Sequence, residues 1–98
     1  MTFAPDILQA AHKHCTNNRV ELAASGICGC FYCGAAYSPS EIELWVPEDD
    51  LAVSQTAVCS RCSIDSVIGS VSGFPVEDPV FLSAMHAHWF ERVVHVAN

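Results

Sequence analysis

Cys28-Gly29-Cys30-Phe31-Tyr32-Cys33-Gly34 and Cys59-Ser60-Arg61-Cys62-Ser63 hold the same four-residue unit, Cys-x-x-Cys, at residues 30–33 and 59–62. Such a unit folds into a tight knuckle. Its two sulfurs take two corners of a tetrahedron, and its own backbone N–H groups point at the thiolates and stabilise them. Residues 34–58 separate the units, enough for a short helix and a strand that carry the second over the first. Soft thiolates, tetrahedral geometry and the absence of a redox demand select zinc over iron. Four thiolates leave no open coordination position, so a metal at Cys30, Cys33, Cys59 and Cys62 is expected to be structural and not catalytic. The expected fold is a small α+β domain of zinc-ribbon or treble-clef type. A short β-hairpin lies beside the knuckles, with N-terminal and C-terminal helices packed over it.

The neighbours of the two units refine this expectation. Gly34 suits the positive φ often needed after a knuckle, and Ser63, at the matching place, suits it less well. Cys28-Gly29-Cys30 leaves open whether Cys28 replaces a ligand, although one intervening residue fits a knuckle worse than two. Cys28 reads better as a small buried residue, and Cys15 as a core thiol on the first helix. Asp65 and Ser66 read as capping groups or as hydrogen-bonding neighbours of the thiolates. Arg61 is placed to neutralise part of the site's negative charge.

Composition bounds the rest. The chain has 98 residues, 51% of them hydrophobic, with five Phe, two Tyr and two Trp. That is one domain over residues 1–98, too apolar to be disordered, with a core small enough to gain from a metal. Met1–Ala10 lacks a basic stretch followed by an apolar one, and no run approaches the roughly 18 apolar residues of a membrane span. The expected location is the cytoplasm, where thiols stay reduced, so the paired cysteines read as metal ligands and not as disulfides. Four basic residues against eleven acidic ones give a net charge of −7. This opposes direct binding to the polyanionic backbone of nucleic acid and suits a basic partner protein.

Local patterns predict the elements. Pro5-Asp6 opens a helix with Ile7, Leu8, Ala11 and Cys15 on one face, and Asn17-Asn18 breaks it. Arg19–Ser25 reads as a second short helix stopped by Gly26. Residues 27–34 form a strand running into the first knuckle. Ser38-Pro39-Ser40-Glu41 starts a short helix anchored by Trp45 and ending before Pro47. Residues 47–50 make an acidic turn, Leu51–Val58 a strand, Ser63–Ile68 a helix stopped at Gly69, and residues 70–76 a loop. Asp78 caps the last helix, Pro79 takes its first turn, and the helix extends to about His95. Leu82, Met85, Trp89 and Val93 form its buried stripe, flanked by Phe81 and Phe90.

A resemblance follows from motifs in order along the chain. They are Cys28-Gly29-Cys30-Phe31-Tyr32-Cys33, Ser38-Pro39-Ser40-Glu41-Ile42 with Trp45, Gln55-Thr56-Ala57-Val58-Cys59 with Cys62, Ile64–Gly69, Ser72-Gly73-Phe74-Pro75, and Met85-His86 with Trp89-Phe90. With Asn17-Asn18-Arg19 and Glu21, they resemble a small bacterial family of uncharacterised zinc-binding "cytoplasmic proteins" over about residues 14–90. That family has Cys-Pro-Tyr-Cys-Gly at its second knuckle, where this chain has Cys59-Ser60-Arg61-Cys62-Ser63. The resemblance implies a compact zinc-binding domain and brings no activity with it.

Catalytic readings find little support. His12 and His14, like His86 and His88, are two residues apart and point to different helix faces, which is poor for chelating one metal. A ββα nuclease site needs a histidine beside the knuckles, and all five histidines lie outside residues 15–85. A zinc deaminase needs His-x-Glu before Pro-Cys-x-x-Cys, which is absent. The sequence therefore predicts a non-enzymatic interaction module, in its most specific form an acidic immunity protein covering a basic toxin or nuclease. Glu41, Glu43, Glu48, Asp49 and Asp50 are the expected contact. A nucleic-acid or transcription accessory domain is the alternative, and a small metal-dependent hydrolase stands behind it.

Overall fold

The computed structural model describes residues 3–48 and 54–91. Helix α1 (Pro5–His12) starts at a proline whose missing N–H costs nothing in the first turn. It buries Leu8 and Ala11 and passes into a 3₁₀ turn at Lys13–Cys15 that buries Cys15. Ile7, expected on the same face, is 40% exposed. The chain then reverses at Asn17, whose φ of 49° is one that asparagine tolerates better than most residues. Helix α2 (Arg19–Ala23) buries Leu22 and leaves Val20 in solvent. It ends at Ala24 in ordinary helical geometry, so Gly26 is not its left-handed stop.

Strands β1 (Cys28–Cys30) and β2 (Ala36–Tyr37) pair antiparallel around the first knuckle. A third strand, β5 (Val67–Gly69), pairs with the other edge of β1, with Gly29 opposite Ile68. The expected helix over Ser63–Ile68 is thus replaced by a strand. Val67 and Ile68 are β-branched and wholly buried, and a strand packed on both faces suits them better than a helix turn does. Gly69 lies against Leu22 and the Ser25 hydroxyl, where a Cβ would collide with both.

The expected helix after Ser38 shrinks to a 3₁₀ turn at Pro39–Glu41. Ser38 caps it by accepting from the Ser40 N–H. The backbone then extends into β3 (Trp45–Pro47), which pairs antiparallel with β4 (Gln55–Ala57), Trp45 opposite Ala57. Trp45 is therefore a strand residue, only partly buried. Of the predicted strand Leu51–Val58, residues 51–53 lie outside the described residues.

The last helix, α3 (Pro79–His86), has its expected cap: Asp78 Oδ1 accepts from the Val80 N–H at 2.9 Å. It buries Phe81, Leu82 and Met85, then widens into a π-helical turn at Ala87–Glu91. Its predicted continuation to His95, with Val93, lies outside the described residues.

Two apolar clusters result. One joins α1 to α3 through Leu8, Ala11, Phe31, Ile68, Phe81 and Met85. The other surrounds the cysteines with Leu22, Tyr37, Ile42, Ala57 and Val67. The buried Asn18 links the two sheets. Its amide donates to the Val67 carbonyl at 2.8 Å and the His14 carbonyl at 3.1 Å, while its oxygen accepts from the Ala57 N–H at 3.1 Å.

Candidate metal centre

Both knuckles have the same backbone plan. Cys30 N–H donates to the Ala35 carbonyl and Gly34 N–H to the Cys30 carbonyl; five residues and four residues on from Cys59, Ile64 and Ser63 repeat the pattern. The residue closing each loop is left-handed, Gly34 at φ 81° and Ser63 at φ 67°. Ser63 thus accepts the conformation that its side chain disfavours. The first knuckle hangs from β1, the second from the segment after β4. A hydrogen bond from Phe31 N–H to the Ser66 carbonyl ties them together.

This brings the sulfurs of Cys30, Cys33, Cys59 and Cys62 within 4.8 Å of one another. Cys30 and Cys62 are 3.6 Å apart, Cys33 and Cys59 3.8 Å. A tetrahedral zinc with Zn–S bonds of about 2.3 Å sets its sulfurs about 3.8 Å apart, so donor type and spacing both fit the ion. Among the described residues no other group of Cys, His, Asp or Glu converges in this way.

Hydrogen bonds arm the sulfurs unequally. The Tyr37 hydroxyl donates to Cys59 Sγ at 3.1 Å, and the Arg61 N–H reaches the same sulfur at 3.3 Å. Burial opposes ionisation of Cys59, but these donors and the Cys62 N–H outweigh it and bring its pKa down to about 7. Burial raises the pKa of Cys30, although its sulfur lies 3.2 Å from the Ser66 hydroxyl, and burial raises that of Cys62 as well. Of Cys30, Cys59 and Cys62, Cys59 is therefore the first to become a thiolate, and a bound cation would draw the protons from the other two.

Cys28 stands apart from this set. It is fully buried, its S–H donates to the Tyr37 carbonyl, and burial next to Cys59 pushes its pKa up to about 12. Cys15 is likewise a buried thiol, pushed up to about 11 by burial. Arg61 pairs with the Glu41 carboxylate at 2.9 Å and lies over the Tyr37 ring. Asp65 caps no helix, since none follows it. Tyr37 is the contributor that sequence reasoning missed; its one available signal was a buried-strand tyrosine needing a hydrogen-bond partner close to the knuckles.

The other singled-out residues do not join the cluster. His86 Nδ1 donates to the Phe31 carbonyl at 3.2 Å, and its Nε2 lies 3.4 Å from the Glu91 carboxylate. It borders a groove of about 290 Å³ beside Tyr32 and Cys33, but both its nitrogens are engaged. His14 donates to the Glu21 carboxylate at 3.0 Å. His12 lies against Trp89. Glu43 and Glu48 are exposed, Glu41 is held by Arg61, and Asp49 and Asp50 lie outside the described residues. Among the described residues no helix is long and apolar enough to cross a membrane. No family model, no curated protein and no solved structure matches the chain.

Proposed function

We propose that the chain is a non-catalytic protein-interaction module, stapled by one structural Zn²⁺ ion at Cys30, Cys33, Cys59 and Cys62, whose partner is a basic protein. Its most specific form is an acidic inhibitor of a basic toxin or nuclease, as bacterial immunity proteins are, working in the cytoplasm. The observation that carries this reading is the convergence of four sulfurs. A metal held at all four corners has no position for water or substrate, so it contributes rigidity.

Function then falls to the surface, and the surface is acidic, at eleven carboxylates against four basic side chains. Glu43 and Glu48 bracket Leu44 and Val46, which are 60% and 42% exposed. Among the described residues β3 pairs only with β4. Apolar side chains in an acidic surround supply the two parts of such an interface: charge steers the encounter and apolar contact holds it. A nucleic-acid accessory role is the weaker reading, because the charge opposes it.

The test is affinity capture from the native host with zinc-loaded protein, alongside the Glu43→Lys/Glu48→Lys double variant. The expected result is a basic protein retained by the wild type, lost with the double variant and weakened by added salt. A partner that ignores the charge reversal, or nucleic acid retained at low salt, counts against this reading.

A further inference from the structure

Away from the cysteines, a cavity of about 460 Å³ opens between α2 and the segment from Ser38 to Trp45. Its size lies within the range of small-molecule sites. Leu22, Ala23, Pro39 and Ile42 give it an aliphatic wall. Arg19 and Trp45 also line it: the guanidinium carbon lies over the indole, 4.7 Å from the ring centre, and the guanidinium donates to the Gln55 side-chain oxygen. Two contacts from two strands thus hold this cation in one orientation.

The polar groups here are donors in surplus. A guanidinium carries five N–H groups, and the Gln55 oxygen engages one of its nitrogens. Ser38 and Ser40 lie 2.8 Å apart through their hydroxyls, so one hydroxyl hydrogen is used between them and one is left to donate. In a chain with eleven carboxylates, none lines this cavity among the described residues. Glu41, which sits between two lining residues, is turned away to Arg61.

We propose that this cavity binds a small monocarboxylate with an aliphatic body. The planar guanidinium and the hydroxyl take the carboxylate, and Leu22, Pro39 and Ile42 take the chain. A net charge of −7 repels a dianion about twice as strongly as a monoanion, which disfavours phosphate at a site with a single guanidinium. The site borders the partner surface along residues 42–46, but it does not rest on that reading.

The experiment is a titration of ¹⁵N-labelled, zinc-loaded protein with hexanoate, followed through the backbone amides, the Trp45 indole N–H and the Arg19 Nε–H. Saturable shifts confined to residues around the cavity are expected. Hexanamide, neutral and of equal length, and Arg19→Gln each weaken binding by about tenfold or more. Inorganic phosphate binds no better than hexanamide. Equal binding of hexanamide and hexanoate overturns the proposal, as do shifts that map elsewhere or never saturate, or tighter binding of phosphate. If Arg19→Gln loses its folded spectrum, the hexanamide comparison on the unaltered protein decides.

Discussion

The Tyr37 hydroxyl donates a hydrogen bond to the sulfur of Cys59 across 3.1 Å, and both residues are buried. The same oxygen accepts from the Ser60 N–H at 3.4 Å, so one phenol holds a sulfur and the loop that carries it. Tyr37→Phe keeps the ring and removes both bonds. Its expected effect is a loss of zinc affinity of about ten- to a hundredfold with the fold retained. Competition with a chromophoric chelator reads the affinity, and circular dichroism reads the fold. Unchanged affinity would mean that the bond only packs the loop.

Geometry separates the six cysteines into two classes, four with converging sulfurs and two apart from them. Serine at Cys30, Cys33, Cys59 or Cys62 is expected to abolish stoichiometric zinc, whereas Cys15→Ala and Cys28→Ala leave one zinc per chain. Elemental analysis of the purified variants checks this. Chelation of the wild type is expected to unfold the cluster around Leu22, Tyr37 and Val67. Structural zinc in such sites contributes an apparent ~10–16 kcal/mol, more than a domain of this size has to spare.

Asn18 gives a prediction that does not involve the metal. Asn18→Ala leaves the buried Ala57 N–H and the Val67 carbonyl without their partner, at an expected cost of about 3 kcal/mol. Asn18→Asp keeps the acceptor but turns a carboxylate toward two carbonyls, so it is expected to be no better. Urea unfolding of the zinc-loaded variants measures both, and a loss below about 1 kcal/mol in either contradicts this account.

His12 gives the pH dependence. Desolvation lowers its pKa below 6.5 and the nearby His88 adds to this, while Asp65 opposes it. With the folded pKa depressed, the unfolded chain binds the proton more readily. The contribution of His12 is therefore complete above about pH 6.5 and is lost as the pH falls from there toward the folded pKa. Urea midpoints at several pH values, with zinc content monitored, are expected to fall less steeply for His12→Gln than for the wild type. Parallel slopes would remove His12 from the explanation.

What the sequence made legible depended on how local the cause was. The paired cysteines, Gly34 and the Asp78 cap each act within five residues, and each appears as read. The segment 38–46 misled because its helix-start residues were genuine, and Ser38 does cap; in 63–68 Ser63 instead closes the knuckle and Asp65 caps no helix. Long-range pairing then decided the outcome: Trp45 found Ala57, and Val67 found Cys30. Tyr37 and Asn18 escaped notice for the same reason. Their partners are 22 and 49 residues away, and nothing in the neighbouring sequence announces them. Gly29 is another such case. A Cβ there would overlap the Val76 carbonyl, a constraint visible only once the chain has folded back.

The four sulfurs also differ in how open they are to solvent: Cys30 and Cys59 are buried, Cys62 is intermediate and Cys33 is exposed. Traffic at a thiolate centre begins where an incoming ligand can attack, and here that corner is Cys33. A competing thiol or apo-protein would displace Cys33 first, while the buried pair keeps its grip. An ion held by these four sulfurs would thus be anchored from within and open to attack from one side, at Cys33 of the first knuckle.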